Sequence, residues 1–335
     1  MQTVLVVGGA GYVGSHTCLR LSEAGFQPVV FDNLSNGYAE FVQWGPLERG
    51  DIRDSLALDR AFAKHQPVAV LHFAGLIEVA ESVRDPGRFY EHNLAGTIGL
   101  IQATRRAGVD ALVFSSTCAT YGDPVRSPMD ETHPQAPINP YGRSKLFAEQ
   151  VLRDLDLTGD LRSIILRYFN AAGADPEGRV GERHRPETHA IPLAIRAAMD
   201  PGQTFQLFGE DYDTRDGTAV RDYVHVLDLA DAHVLAVRRL LHGGASAAFN
   251  LGSGTGSTVR ELVDAIRKRS NGRFEVVSAP RRPGDAAELV ADIRKAREEL
   301  GWTPASDLGD IIDTAWRWHE AEAGRAGRVD IGGVR

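Results

Sequence analysis

The chain has 335 residues, of which 43% are hydrophobic and 24% charged; this is an ordinary globular composition, long enough for a main domain plus a smaller companion. A net charge of −8 offers no basic field for a nucleic-acid backbone or an anionic membrane surface, and no apolar run approaches the length of a membrane span. Cys18 and Cys118 are too few for a disulfide framework, and the N-terminus runs into a strand with no basic segment before it, so two free thiols and a cytoplasmic setting are expected.

In chain order, Val4–Val7, Val29–Phe31, Val68–Phe73, Leu112–Phe114 and Ile164–Leu166 are short apolar runs separated by amphipathic stretches. That alternation predicts an α/β fold, a Rossmann-type doubly wound parallel sheet whose ligands sit at the carboxyl ends of the strands. From Ala171 the pattern loosens, with Pro, Gly and charged residues through 174–186. Val224–Leu240 reads as a strand end followed by a helix, and Ala248–Leu251 as another strand. We therefore expect a dinucleotide domain over 1–170 to which the chain returns around 222–251, a smaller discontinuous lobe drawn mainly from 171–325, and a weakly ordered tail over 326–335.

Gly9-Ala10-Gly11-Tyr12-Val13-Gly14 follows the first strand and opens a helix, the context in which Gly-x-Gly-x-x-Gly carries meaning. Glycines make the tight turn and let a pyrophosphate approach the free N–H groups of the helix N-terminus. A bland glycine-rich turn has the same spacing. Asp32 ends the second strand where an acid accepts hydrogen bonds from an adenosine ribose and repels a 2′-phosphate, which favours NAD over NADP; capping of the turn Asp32-Asn33-Leu34-Ser35 is the competing role. Asp51-Ile52 and Phe73-Ala74-Gly75 lie at further strand ends, where flanking the cofactor and making ordinary strand-to-helix turns fit equally well.

Tyr141 and Lys145 are four apart after Asn139-Pro140, where a helix can start, so both project from one face. A free tyrosine titrates near pH ~10, and a close ammonium lowers that value, so the pair can move a proton at neutral pH. On its own a Tyr-x-x-x-Lys pair is common on solvated helices. Thr117 follows the fifth strand, where its hydroxyl can meet a substrate hydroxyl or satisfy local backbone groups.

With these motifs the chain, from Val4 to about Trp318, resembles the extended short-chain dehydrogenase/reductases, and within them the UDP-glucose 4-epimerase family. The most specific matching stretches are Arg167-Tyr168-Phe169-Asn170, Asp216 to Val226, and Arg281-Arg282-Pro283-Gly284-Asp285. The resemblance implies that Tyr141 is the acid/base, Lys145 its tuning lysine and ribose ligand, and Thr117 their hydroxyl partner. It implies NAD held by Gly8, Gly9, Gly11, Tyr12, Val13 and Gly14, by Asp32, Asn33, Asp51 and Ile52, and by Phe73, Ala74, Gly75, Asn93, Ser115 and Tyr168. It places Phe169, Asn170, Phe208, Arg221, Arg282 and Asp285 around a UDP-sugar, with Leu289 beside the sugar's 2-substituent. Two arginines suit a diphosphate, because the guanidinium fork pairs phosphate oxygens.

Two positions depart from the family pattern. Ile77 stands where a lysine often approaches the cofactor, and His189 where an asparagine often contacts substrate; a lone histidine in such a loop is commonly structural. The activity implied is interconversion of UDP-galactose and UDP-glucose through a 4-keto sugar, by a homodimer. The alternatives are a 4,6-dehydratase or decarboxylase, a broader UDP-N-acetylhexosamine 4-epimerase, and a silent dinucleotide-binding scaffold. Related dehydratases carry an acidic pair after the threonine, whereas Cys118-Ala119 follow Thr117 here, and a silent scaffold would be expected to lose Tyr141 or Lys145. The histidines show no His-x-x-x-His and the cysteines no Cys-x-x-Cys, so no metal is expected.

Overall fold

The apolar runs form the middle of a seven-stranded, wholly parallel sheet in a computed structural model that describes residues 1–272, 274–282 and 285–331. Its strands are β1 (Thr3–Val7), β2 (Gln27–Asp32), β3 (Leu47–Arg49), β4 (Ala69–His72), β5 (Ala111–Thr117), β6 (Arg162–Tyr168) and, after four strands outside the sheet, β11 (Ala247–Leu251). The spatial order is β11-β6-β5-β4-β1-β2-β3. The order reverses between β1 and β4, the crevice where doubly wound sheets bind their ligands. Register brings the strand ends level: Val7 pairs with both Phe31 and His72, His72 with Phe114, and Thr117 with Tyr168.

Alternate residues of each strand feed opposite faces. Val4 and Val6 pack with Cys18, Leu21 and the apolar stripe Leu229–Leu240, while Leu5 and Val7 pack with Leu58, Phe62, Leu100, Ile101 and Leu152. The helices on these faces are α1 (Tyr12–Glu23), α2 (Ser55–His65), α3 (Val79–Arg84), α4 (Pro86–Phe89), α5 (Gly96–Arg106) and α6 (Pro140–Leu157), with α8 (Val226–Leu241) later in the chain. Asn139 starts α6 by accepting the Gly142 N–H at 2.8 Å, with Pro140 at the first helical position.

A second core joins α7 (Ala190–Met199), α9 (Val259–Arg269) and α10 (Leu308–Ile331) through Ile191, Ile195, Leu262, Ile266, Ile311 and Trp316. Short strands edge it: β7 (Asn170–Ala172), β8 (Phe205–Phe208), β9 (Val220–Arg221), β10 (Tyr223–His225), β12 (Ser257–Thr258), β13 (Val276–Ala279) and β14 (Glu288–Leu289). β10 pairs with β7, β13 with β8, and β9 lies between β12 and β14. The tail expected from Ala326 is helical backbone as far as Ile331, and 332–335 lie outside the described residues, as do Pro283 and Gly284 of the arginine motif. Among the described residues no helix is long and apolar enough to cross a membrane.

Candidate active site

The glycines divide into those the protein needs and one it does not. A Cβ on Gly8, whose φ is +83°, would lie 2.5 Å from the Ala74 nitrogen, and one on Gly14 would lie 2.3 Å from the Gly8 oxygen. Gly9 is similarly closed by Val30, at 2.8 Å. At Gly11 a Cβ would meet only the Gly8 oxygen at 3.4 Å, so its missing side chain leaves space open to a ligand. Gly11 is also the N-cap of α1 and offers no side-chain cap, leaving the first N–H groups, those of Tyr12, Val13 and Gly14, without a side-chain acceptor. Open space over an uncapped helix N-terminus fits a dinucleotide pyrophosphate. The Tyr12 side chain turns away: its hydroxyl donates to Gly173 O at 2.6 Å, so this residue faces a cofactor with its backbone alone.

Asp32 is buried, and both expected roles bear on it. Its Oδ1 accepts the Leu34 N–H at 2.8 Å, the turn cap, while Oδ2 accepts the Ala10 N–H at 3.0 Å and ties the glycine loop to β2. Burial raises its pKa against these two bonds. Each oxygen keeps a further lone pair for a ribose hydroxyl. Asp51 is engaged twice, by Asn33 Nδ2 at 3.0 Å and by the Arg53 fork at 2.9 Å, and the Arg53 bonds hold its carboxyl well below the usual range. Ile52 packs into the core. Phe73 lies against His233, with ring centroids 4.7 Å apart. Asn93 is fully buried in a π-type turn of helix, accepts the Leu76 N–H at 2.7 Å and donates to Leu76 O and Ser144 Oγ, which fixes the Gly75–Leu76 loop against α6. Ile77 is 39% exposed, an apolar side chain in solvent.

Lys145 reaches from α6 to the end of β5, where Nζ donates to Ser115 O at 3.0 Å and lies 5.0 Å from the Phe114 ring centre. Burial pulls the ammonium down to about 8, against the attraction of Glu149 one helical turn on. The phenol of Tyr141 is also displaced, but upward: burial dominates, Tyr168 adds to it, and the Thr117 hydroxyl beside it pulls it back only in part. The spacing argument expected the ammonium to lower this phenol. The Lys145 ammonium does not offset burial, which sets the direction of the shift. Thr117 also accepts the Ala119 N–H at 3.1 Å, so the local turn forms as well. Tyr168 meets Ser115 hydroxyl to hydroxyl, and burial pushes its phenol up to about 12.

Two residues outside the expected set organise this pair. Glu149, fully buried, accepts from Arg167 Nη2 at 2.7 Å and from Ser116 Oγ at 2.5 Å, and the Arg167 fork also takes the Tyr121 hydroxyl at 2.8 Å. This network locks α6 onto β5 and β6 behind Lys145. Its only trace in the sequence is the four-residue spacing from Lys145 to Glu149. His233 of α8 packs between Phe73 and Tyr168, at 4.7 and 6.2 Å.

The remaining expected residues gather on β7, β8, β9 and β14. Arg221 Nη1 donates to Val220 O and Ala286 O, at 2.8 and 2.9 Å, and Nη2 is 3.3 Å from Asp285. Arg282 lies over the Phe208 ring at 3.8 Å, whereas Arg281 is tied to Asp211 at 2.7 Å and stacks on Tyr212. Neighbouring arginines therefore face different groups. Phe169 is 8% exposed and part of the core, and Asn170 donates to Asp222 O at 3.1 Å. Asp222 accepts the N–H groups of Ser253, Gly254 and Ala291, so it joins β9, the loop after β11 and the strand that carries Leu289. Leu289 pairs with Arg221 and is half-buried against the core. His189, the residue before α7, is 45% exposed yet bonded to the buried carboxylates of Glu182 and Glu187, and against the pull of burial these bonds hold its imidazole up at about 10. Cys18 and Cys118 are both free thiols.

The profile of the NAD dependent epimerase/dehydratase family matches residues 4–252. The chain is 64% identical over 318 residues to the UDP-glucose 4-epimerase of Rhizobium leguminosarum bv. trifolii, covering 95% of this chain and 97% of the relative. It superposes with a TM-score of 0.92 on the UDP-glucose 4-epimerase of Brucella ovis in complex with NAD, at 48% identity over 95% of this chain and 98% of the other. The Bifidobacterium longum UDP-glucose 4-epimerase in complex with NAD+ and UDP gives 0.89 at 36% identity, covering 96% and 99%.

Proposed function

The chain belongs to the NAD-dependent epimerase/dehydratase family, and from this we infer that it inverts C4 of a UDP-hexose, interconverting UDP-galactose and UDP-glucose with NAD as its cofactor. The observation that carries the reading is the carboxyl edge of the parallel sheet, where the open position at Gly11 follows β1 and Lys145 bonds Ser115 O beside Thr117 at the end of β5. NAD, held over the glycine turn, would supply the hydride acceptor and donor at C4, so that inversion needs no net oxidation.

The chain supplies the rest. Tyr141 exchanges the proton of the 4-hydroxyl at its phenolic oxygen, acting as base in one direction and as acid in the other. A positive charge beside its oxygen, such as an oxidised nicotinamide would bring, favours the phenolate form. Thr117 steadies the same oxygen. Lys145, held by Ser115 O and drawn by Glu149, keeps a positive charge at the end of β5 where a cofactor ribose could meet it. Arg221 and Arg282 hold the UDP diphosphate while the hexose presents each face in turn. Cys118 and Ala119 after Thr117 bring no carboxyl group, which removes the acid/base pair that elimination across C5 and C6 needs.

Two free cysteines support a cytoplasmic setting. Val83 on α3 and Phe147 on α6, 63% and 44% exposed, support a second copy packing against these helices. Incubation with UDP-galactose and no added NAD, followed by product analysis and extraction of bound dinucleotide, tests the function: UDP-glucose and released NAD are expected. Tyr141→Phe should cut turnover by about a hundredfold or more with UDP binding nearly intact. A loss of only a few-fold would assign the proton transfer to another group.

A further inference from the structure

Glu182, His184, Glu187 and His189 stand close together in the loop between β7 and α7, and a ligating atom of each lies within 4.8 Å of those of the others. His189 Nδ1 is 2.9 Å from Glu182 Oε1 and 3.2 Å from Glu187 Oε1, and His184 Nδ1 is 3.2 Å from the same Glu182 oxygen. Bonds of about 2.0–2.2 Å in a tetrahedral site set ligand atoms roughly 3.3–3.6 Å apart. These three separations are within a few tenths of an ångström of that spacing, and the remaining pairs, within 4.8 Å, would adjust to it around an ion.

Hydrogen bonds fill part of this arrangement: Glu187 Oε1 accepts the Thr188 and His189 N–H groups at 2.9 and 3.0 Å, and Glu182 Oε1 serves both imidazoles. The Glu187 side chain has no exposed surface, yet its Oε2 has no hydrogen-bond partner, and the Arg196 guanidinium stays 3.8 Å from it. A buried carboxylate oxygen left in this way is costly unless a cation meets it. An entering ion displaces the proton of His189, and two carboxylates with two neutral imidazoles then carry two negative charges, which one divalent ion cancels. The donor set, two imidazole nitrogens and two carboxylates, is of the borderline type that suits zinc.

We propose that Glu182, His184, Glu187 and His189 form a binding site for one divalent transition-metal ion of the zinc class. Its role is positional. Tyr12, the first residue of α1, packs edge-on against His184 with ring centroids 6.1 Å apart and bonds Gly173 O through its hydroxyl. An ion would therefore brace the 182–189 loop against the back of the glycine turn, and His189, which begins α7, would join that brace to the second core.

The test uses untagged, NAD-bound protein and has readouts other than turnover. Elemental analysis should find a single zinc per chain after gel filtration. Chelation should lower the melting temperature and expose the 182–189 loop to proteolysis, and Co2+ added back should give the intense visible bands of a tetrahedral site, saturating at a single equivalent. His184→Ala and Glu182→Gln should each weaken zinc binding by about a hundredfold or more while retaining bound NAD; ligand loss should cost at least as much as the loss of an outer-shell partner. Wild-type protein that neither retains zinc nor gives a saturable cobalt spectrum overturns the proposal, whatever the variants do. Equal binding by wild type and both variants overturns it too, because the ion is then adventitious and lies elsewhere.

Discussion

Replacing Lys145 by methionine should make the protein more stable and nearly inactive. The amine is buried and its pKa falls from 10.5 to about 8, so at pH 7 the folded protein carries an ammonium that its surroundings disfavour. At 1.36 kcal/mol per pH unit this depression is worth roughly 3 kcal/mol. Methionine fills the same volume without charge and gives up the hydrogen bond to Ser115 O, worth about 1 kcal/mol, so a net gain of about 2 kcal/mol is expected near pH 7. The sign follows from proton uptake. Between about pH 8 and 10.5 the unfolded chain keeps the Lys145 proton that the folded chain has shed, so wild-type stability rises through that window and the advantage of the variant disappears. Denaturant midpoints of both proteins, taken free of dinucleotide at intervals from pH 7 to 10.5, measure the difference; bound NAD would add its own binding free energy. Turnover with UDP-galactose should fall by about a hundredfold or more. A variant less stable than wild type at pH 7, or a difference that stays flat with pH, would refute the reasoning.

Three further outcomes follow from the cleft. Gly14→Ala should lose about 1–3 kcal/mol of stability through its clash with Gly8 O, whereas Gly11→Ala should stay within about 0.5 kcal/mol in NAD-free protein yet bind NAD at least about tenfold more weakly; denaturation curves and dinucleotide titration separate the two. Arg282→Ala should weaken UDP binding by about tenfold or more, while Arg281→Ala, whose side chain is committed to Asp211 and Tyr212, should change it little; calorimetric titration with UDP decides. Leu289, half-buried beside Arg221, should admit the N-acetylated sugar pair weakly: Leu289→Tyr should narrow and Leu289→Ser widen the ratio of kcat/KM values by about 10- to 200-fold at most, and a flat ratio would place Leu289 in the core alone.

What the sequence determined by itself is what short-range chemistry can specify. Strands β1, β2, β4, β5 and β6 are continuous apolar runs because both faces of a parallel sheet are covered, so each is visible without knowledge of its neighbours. The glycine turn and the start of α6 at Asn139-Pro140 are local in the same sense, and a four-residue spacing is enough to put Tyr141 and Lys145 on one face. The family resemblance supplied the arginine and aspartate positions that no local rule would have chosen. Tertiary structure decided the rest, because it depends on which distant groups meet and how much water they lose. Only the fold joins Glu149 to Arg167 behind the lysine, turns Arg281 and Arg282 to different partners, and brings Asp222 to the N–H groups of Ser253, Gly254 and Ala291. Only burial sets the phenol of Tyr141 above its ordinary range where spacing pointed below it. His184 and His189 have a spacing that zinc sites use, but that spacing alone is common, and Glu182 and Glu187 join them as a set only because the chain folds back until one atom of each lies within 4.8 Å of the others.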